Sequence, residues 1–231
     1  MPIEKERHVL VVFPHPDDEA FGVSGTISTY IQMGVPVTYA CLTLGEMGRN
    51  LGMPPFATRE TLPDIRKNEL KAACEAMGLE DLRMMGLRDK TVEFEDDEKM
   101  VKLVTDLIEE TDPSLIITFY PGYSVHPDHE ATARAVVRAV RRIPEADRPK
   151  LYAVAFANET AADLGEPDIV HDVEDMLPRK INTLNAHASQ TVWMMKEMEK
   201  QLAEGNPEAV ERFTKEKFYQ YPWHNDFEKS F

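Results

Sequence analysis

Strand-sized runs of β-branched and apolar residues alternate with segments of helical period through the first two-thirds of the chain, and few folds accommodate that order. Val9–Phe13 reads as a first strand, residues 20–33 as a helix ended by Gly34, and residues 35–43 as a second strand. Leu62–Met77 follows as a helix closed by Gly78, with Leu62, Ile65, Leu70, Ala73 and Met77 as its apolar positions. Residues 82–87 form a short strand, 98–110 an amphipathic helix, 115–120 a strong strand, 129–142 a helix and 151–156 another strand. Strands that alternate with helices of this length predict an α/β fold: a Rossmann-like, three-layer arrangement around a largely parallel sheet.

Beyond Ile169-Val170 the pattern turns helical, over residues 177–202 and 208–218, and the end from Tyr219 to Phe231 is aromatic and irregular. With no internal repeat and no flexible linker, the 231 residues are expected to form a single domain, 1–231, large enough for a sizeable core. Residues 44–61 make a long connection containing Gly45, Gly48, Gly52, Pro54 and Pro55. Loops of that length inside a domain are usually functional or mobile.

The charge narrows the partners. Lys and Arg total 26 against 41 Asp and Glu, a net charge of −15, which repels nucleic acid and anionic lipid alike. No apolar run approaches the roughly 20 residues of a membrane-spanning helix, and the charged start, Met1 to Lys5, lacks the apolar core of a signal peptide. Cys41 and Cys74 are too few for a disulfide framework and read as buried thiols in a reducing compartment. A cytoplasmic protein acting on a small molecule, without nucleic acid or membrane as a partner, is the expectation.

Two short motifs carry the chemistry. Pro14-His15-Pro16-Asp17-Asp18-Glu19 follows the first strand, and His126-Pro127-Asp128-His129 follows the strand at 115–120. Ligands of open parallel sheets bind beyond the carboxyl ends of the strands, so both motifs fall on the edge where a site belongs. His15, Asp18 and His129 have the donor types of a catalytic zinc with three protein ligands. The prolines around His15 stiffen the turn. Adjacent aspartates can then diverge, Asp18 toward the metal and Asp17 toward a water whose proton it takes as general base. His126 is left to face the substrate as an imidazolium that stabilises the oxyanion and protonates the leaving amine, with Asp128 orienting it. Other divalent ions suit the same ligands.

These residues resemble the LmbE-like (PIG-L-type) zinc N-deacetylases, which carry a His-Pro-Asp-Asp-Glu motif after the first strand and a His-Pro-Asp-His motif further on. Arg66-Lys67-Asn68-Glu69-Leu70 and the segment from Asp172 to Gln190 extend the likeness over residues 8–190. The resemblance implies His15, Asp18 and His129 as metal ligands, Asp17 as the base and His126 as electrostatic partner and acid. It further implies that Arg66 and Asp89 bind the sugar or its appended group, with His187 near the site. Pro14 stands where an alanine is more usual. Residues 43–50 and 187–190 look most like the deacetylases of bacillithiol biosynthesis, which implies N-acetylglucosaminyl malate as substrate. Arg49 and Arg66 would then meet its dicarboxylate. Homo-oligomers, trimers or hexamers, are implied as well.

Plainer readings stand beside these. Arg49 reads equally as a solvated loop residue, and Arg66 as a partner of Glu69 or Asp64. Asp89 can be a turn residue after Gly86, and His187 a satisfied buried histidine. The rival functions are a nucleotide-binding Rossmann-like module, a non-catalytic metal-dependent glycan binder, and a zinc amidohydrolase for another amide, such as a chitooligosaccharide. The first predicts a Gly-rich turn after strand one, where this chain has carboxylates that repel phosphate.

Overall fold

Val9–Phe13 (β1) is fully buried because it lies in the middle of the sheet, with helices on both sides. Val9, Val11 and Phe13 enter one core and Leu10 and Val12 the other. In the computed structural model, which describes residues 3–225, seven strands form one sheet. The remaining strands are β2 (Val37–Cys41), β3 (Asp81–Met84), β4 (Leu115–Phe119), β5 (Lys150–Val154), β6 (Ile169–Asp172) and β7 (Lys215–Gln220). Their order is β3-β2-β1-β4-β5-β7-β6. The first five run parallel, while β7 is antiparallel to both β5 and β6.

The helices are α1 (Asp18–Gly22), α2 (Ser24–Gln32), α3 (Leu62–Met77), α4 (Asp97–Thr111), α5 (Pro127–Arg141), α6 (Thr160–Leu164), α7 (Leu177–Ala186), α8 (Ala188–Ala203) and α9 (Pro207–Thr214). Ile27, Tyr30, Leu70, Cys74 and Met77 bring α2 and α3 onto one face of the sheet. Met100, Val101, Val104, Val136, Val137 and Val140 bring α4 and α5 onto the other. The three-layer, largely parallel α/β fold is therefore present. Cys41 and Cys74 are free and buried. No helix among the described residues is long and apolar enough to cross a membrane.

The helix stops are legible locally. Gly78 closes α3 at φ 81°, a conformation a β-carbon would disfavour, and the Gly78 and Leu79 amides satisfy the carbonyls of Glu75 and Cys74. The differences from expectation lie elsewhere. The helix over 20–33 is two helices, broken at Val23 (φ −143°, ψ 0°). The segment 177–202 breaks at His187, and residues 215–220 are a strand rather than the end of a helix. In β7 the period-two signal is hidden by buried Glu216, a charge at an inward position. Residues 226–231 of the aromatic end lie outside the described residues.

Glu216 is inward because three donors require it. Its carboxylate takes Lys180 Nζ at 2.8 Å and the amides of Gly25 and Thr26 at 3.0 and 2.7 Å, placing an anion at the start of α2. Beside it, His171 is 4% exposed and hydrogen-bonds Thr26 Oγ1 at 3.0 Å. Burial, partly offset by the charge of Glu216, pushes the pKa of His171 down to about 4. The unfolded chain, with a His pKa of about 6.5, takes up that proton first on acidification. Stability from this group is thus complete above about 6.5 and falls by up to about 3 kcal/mol as pH drops toward 4. Urea unfolding at pH 7 and 4.5 should show a smaller acid loss in His171→Gln than in the parent; equal losses would remove His171 from the account.

The switch in strand order places the site. From β1 the chain steps outward to β2 and β3 and returns to the other side as β4, which opens a crevice beyond the carboxyl ends of β1 and β4. Both motifs enter it: His15 lies two residues past β1, and His126–His129 follow β4 by a short loop.

Candidate active site

Past β1, the Asp18 carboxylate folds back to accept the His15 amide at 2.8 Å, closing a tight turn. Past β4, Pro127 begins α5, where its missing N–H costs nothing, and His129 falls in the first turn. Glu130 accepts Gly122 N, Ser124 N and Ser124 Oγ, which fixes the loop before the helix. The loop in turn presents the Ser124 carbonyl to His129 Nδ1 at 3.0 Å. Phe119 stacks on the His129 ring at 4.1 Å between centroids. Every freedom of that imidazole is therefore removed.

Three donor groups converge. His15 Nδ1 and His129 Nε2 are 3.1 Å apart. Asp18 Oδ2 is 3.5 Å from the first and Oδ1 is 3.2 Å from the second. The other nitrogen of each ring settles the tautomers. His15 Nε2 faces the carboxylates of Asp128 and Asp89 at 3.1 and 3.2 Å, so it carries the proton. His129 Nδ1 donates to Ser124 O in the same way. His15 Nδ1, His129 Nε2 and the Asp18 carboxylate consequently face one another; a proton on His15 Nδ1 links them, and a divalent cation can take that proton's place. With His126, the two imidazoles also form a group whose ligand atoms all lie within 4.8 Å of one another, and imidazole nitrogen and carboxylate oxygen are the donors zinc takes. Burial opposes an imidazolium at His15, yet the hydrogen bonds it donates to Asp128, Asp18 and Asp89 outweigh it and push its pKa up to about 12. For Asp18 too burial opposes the charged form, but His129 and His15 hold its pKa well below the usual range. The donor set fits a divalent metal ion.

Asp17 stands apart from those three. It occupies the left-handed region at φ 104°, ψ −26°, a costly conformation for a residue with a side chain. Its Oδ2 accepts Arg66 Nη2 at 2.9 Å, and Oδ1 takes no hydrogen bond among the described residues. Burial raises its pKa, to about 6 against the pull of Arg66. A carboxylate so tuned is a competent proton acceptor near neutrality. Val125, a β-branched residue at φ 53° and 68% exposed, introduces the same kind of backbone strain immediately before His126.

His126 caps α5: its Nδ1 accepts the Asp128 amide at 3.1 Å. That nitrogen must be bare, so the neutral ring carries its proton on Nε2. Burial and the neighbouring His15 and His129 lower its pKa. This differs from the expected imidazolium held by Asp128. The Asp128 carboxylate lies behind His15 instead, accepting His15 Nε2 and the amides of Lys90 and Val92 at 3.1, 2.7 and 3.1 Å. One helix turn cannot aim that side chain both inward beneath His15 and outward at the capping residue.

The four residues expected at the substrate are placed unequally. Arg66 is 4% exposed, and its guanidinium is held by the Gly45 and Pro16 carbonyls and by Asp17. It pairs with neither Glu69, which accepts Ser189 N and Oγ, nor substrate-facing solvent. Gly45 is required there, since a β-carbon on it would overlap that guanidinium. Asp89 is 3% exposed, 3.2 Å from His15 Nε2 and accepting the Met47 amide at 2.8 Å, behind the His15 ring rather than open to a sugar. His187 is wholly buried against Glu19 at 2.6 Å. Arg49 alone is exposed, its carbonyl pinned by Gln190 Nε2 at 2.8 Å and its guanidinium without a partner among the described residues. The long 44–61 loop is held at this point, and again by the Leu51 amide on Ser189 O. Glu19, Tyr39 and Ser124 belong to the site without having been singled out by sequence. Only Glu19, inside the first motif, left any signal.

The chain is similar to several known proteins. The model of the family described as GlcNAc-PI de-N-acetylase, PIG-L, matches residues 10–140. A probable N-acetyl-alpha-D-glucosaminyl L-malate deacetylase 2 of Bacillus anthracis is 52% identical, over 96% of this chain and 98% of its own. Among solved structures, the N,N'-diacetylchitobiose deacetylase of Pyrococcus horikoshii superposes with a TM-score of 0.72 at 23% identity, over 96% of this chain and 87% of that one. GalB, a 4-carboxy-2-hydroxymuconate hydratase from Pseudomonas putida, gives 0.71 at 18% identity over 93% and 95%. Both likenesses speak for the fold alone, and the second carries a different reaction on it.

Proposed function

Because the chain belongs to the PIG-L (LmbE-like) family of deacetylases, we propose that it uses zinc to hydrolyse the N-acetyl group of N-acetylglucosaminyl malate, the bacillithiol-pathway reaction, releasing acetate and the free amine. The observation that carries the metal-dependent reading is the meeting of His15 Nδ1 and His129 Nε2 with the Asp18 carboxylate at 3.1–3.5 Å. The chemistry a divalent ion supplies in such a setting is Lewis acidity, which polarises the acetyl carbonyl and makes water nucleophilic near neutral pH.

The chain's own residues do the rest. Asp17 takes a proton from the attacking water on its free Oδ1 while Arg66 holds Oδ2 still. As the carbon–oxygen bond forms, charge gathers on the carbonyl oxygen, and His126 donates Nε2–H to it, its Nδ1 fixed by the Asp128 amide. Collapse breaks the C–N bond, and the proton on Asp17 passes to the departing amine. His126 therefore acts as a neutral donor, with Asp17 carrying the proton both ways. His126→Ala is expected to lower kcat by about 10²–10³-fold, the effect of removing one oxyanion donor, with bound zinc unchanged; an unaltered kcat would exclude it.

The substrate assignment rests on the relative at 52% identity and on Arg49, an exposed cation of the 44–61 loop. Arg66, buried against Asp17, supports catalysis rather than recognition in this reading. Acetate release should be measured on zinc-loaded enzyme with N-acetylglucosaminyl malate and with neutral N,N'-diacetylchitobiose. The malate conjugate is expected to be preferred by at least about tenfold in kcat/KM, the scale of one charged hydrogen bond, and Arg49→Ala should erase most of that margin. Equal rates on both sugars in the parent would overturn the dicarboxylate assignment. A cytoplasmic homo-oligomer, trimer or hexamer, completes the proposal, and light scattering on the purified protein reads the assembly directly.

A further inference from the structure

Asp17 could not hold its place by local geometry alone. At φ 104° it sits where only glycine is comfortable, and strain of this kind, about 1–3 kcal/mol, persists only when surroundings over-determine it. Its amide accounts for the hold. It points inward and donates to Glu19 Oε2 at 3.1 Å. Glu19 is wholly buried, and an unpaired carboxylate there would be strongly destabilising. Its Oε2 also accepts Tyr39 OH at 3.0 Å, and the same hydroxyl lies 3.3 Å from the His15 carbonyl. Oε1 accepts His187 Nε2 at 2.6 Å, across 168 residues of sequence.

We propose that Glu19 and His187 are positioning residues for the reaction: the buried His187–Glu19 pair braces the Asp17 amide and so fixes the direction of the Asp17 carboxylate. The inference rests on Asp17 being the base of the proposed deacetylation. His187 lies at the break between α7 and α8 (φ −84°, ψ 46°), where a continuous helix would be the cheaper structure. Ser189, two residues on, binds Glu69 of α3 through both its amide and its hydroxyl, which locks the junction behind the first motif. His187 Nδ1 is buried with no hydrogen-bond partner, so the ring is held by its Glu19 contact and by packing. Neither residue touches the three metal donors through its side chain. Their effect on the reaction runs through the Asp17 backbone.

A role in bulk stability would move metal content, KM and Tm along with kcat; positioning moves kcat. His187→Leu fills the space without a donor, and His187→Gln restores an N–H near the place of Nε2. Both are compared with the parent, zinc-loaded, at saturating substrate. His187→Leu is expected to lose about 10–100-fold in kcat, the scale of a misplaced reacting group, with KM and zinc per chain within about twofold. His187→Gln should recover most of that loss. Glu19→Gln, which turns an N–H toward one of the three donors that Glu19 accepts, should show the same loss in kcat and serves as the deciding variant if His187→Leu does not fold. Unchanged kcat in Glu19→Gln, no advantage of His187→Gln over His187→Leu, or a parallel fall in zinc content would each overturn the proposal.

A second readout needs no turnover. The Asp17 amide should be shifted downfield and protected from hydrogen exchange in the parent, and lose at least about tenfold of that protection in Glu19→Gln. If the parent released no acetate from any N-acetylated sugar, the deacetylase assignment would fall, while the amide would still decide the brace. An Asp17 amide equally protected in parent and variant would refute it.

Discussion

Asp17→Asn is expected to lower kcat by about 10²–10⁴-fold, the range supplied by a positioned general base, with zinc content and Tm close to those of the parent. Asparagine has the same shape, and its carbonyl oxygen can still accept from Arg66, whose guanidinium is also held by the Pro16 and Gly45 carbonyls. What it lacks is a site for the proton. The experiment pairs single-turnover acetate release with metal analysis of the same preparation. A variant that keeps zinc and turnover alike would show that Asp17 is not the base. Loss of zinc in step with turnover would instead place Asp17 among the ligands, against the geometry in which the Asp18 carboxylate faces His15 Nδ1 and His129 Nε2. The same variant separates a hydrolase from a metal-dependent glycan binder, since a binder has no use for the missing proton acceptor.

The second large effect is on the metal itself. His15→Ala removes one of three donors and also the one group that the carboxylates of Asp18, Asp89 and Asp128 share. The expected loss of zinc affinity exceeds the roughly 10–100-fold cost typical of an outer partner, and the metal-free variant should also be less stable because those carboxylates then face one another without a cation. Asp128→Asn is the graded control. It weakens the hold on His15 Nε2 without removing a donor, and should fall within that smaller range. Titration with a competing chelator reads both. Full zinc occupancy in His15→Ala, or a larger loss in Asp128→Asn than in His15→Ala, would contradict the ligand assignment.

Much of this was readable before the fold was known, and the reason differs from residue to residue. The apolar run Val9–Phe13 predicts a buried strand because it is short, rich in β-branched valine and closed by Pro14, as a strand covered on both faces is. A motif placed after it must then lie at a sheet edge. His15, Asp18 and His129 follow from donor chemistry and from that placement. The breaks at Val23 and His187 were not readable, since both sit in sequences with good helical period. Tertiary contacts override propensity there: Glu19 on one side of Val23 and His187 itself must meet in the interior. β7 was hidden because its buried Glu216 reads as a surface residue until Lys180 and the start of α2 are brought to it.

The roles of Arg66, Asp89 and Asp128 show the same boundary. Sequence identifies charged residues near a site, but whether a charge faces a ligand or another residue depends on which loops the fold brings together. Arg66 meets the turn at Pro16–Asp17 across 50 residues of sequence and Asp128 meets His15 across 113, so neither pairing leaves a local trace. The fold class, the position of the two motifs at the carboxyl edge and the donor types for a metal are legible in the sequence, because periodicity and ligand chemistry are local properties. Only the folded chain shows that His126 caps α5 through a bare Nδ1, that Asp128 and Asp89 lie behind His15, and that a histidine 168 residues from Glu19 meets it behind the turn carrying Asp17. Those outcomes depend on where buried polar groups find their partners, and burial pairs residues by space rather than by order along the chain.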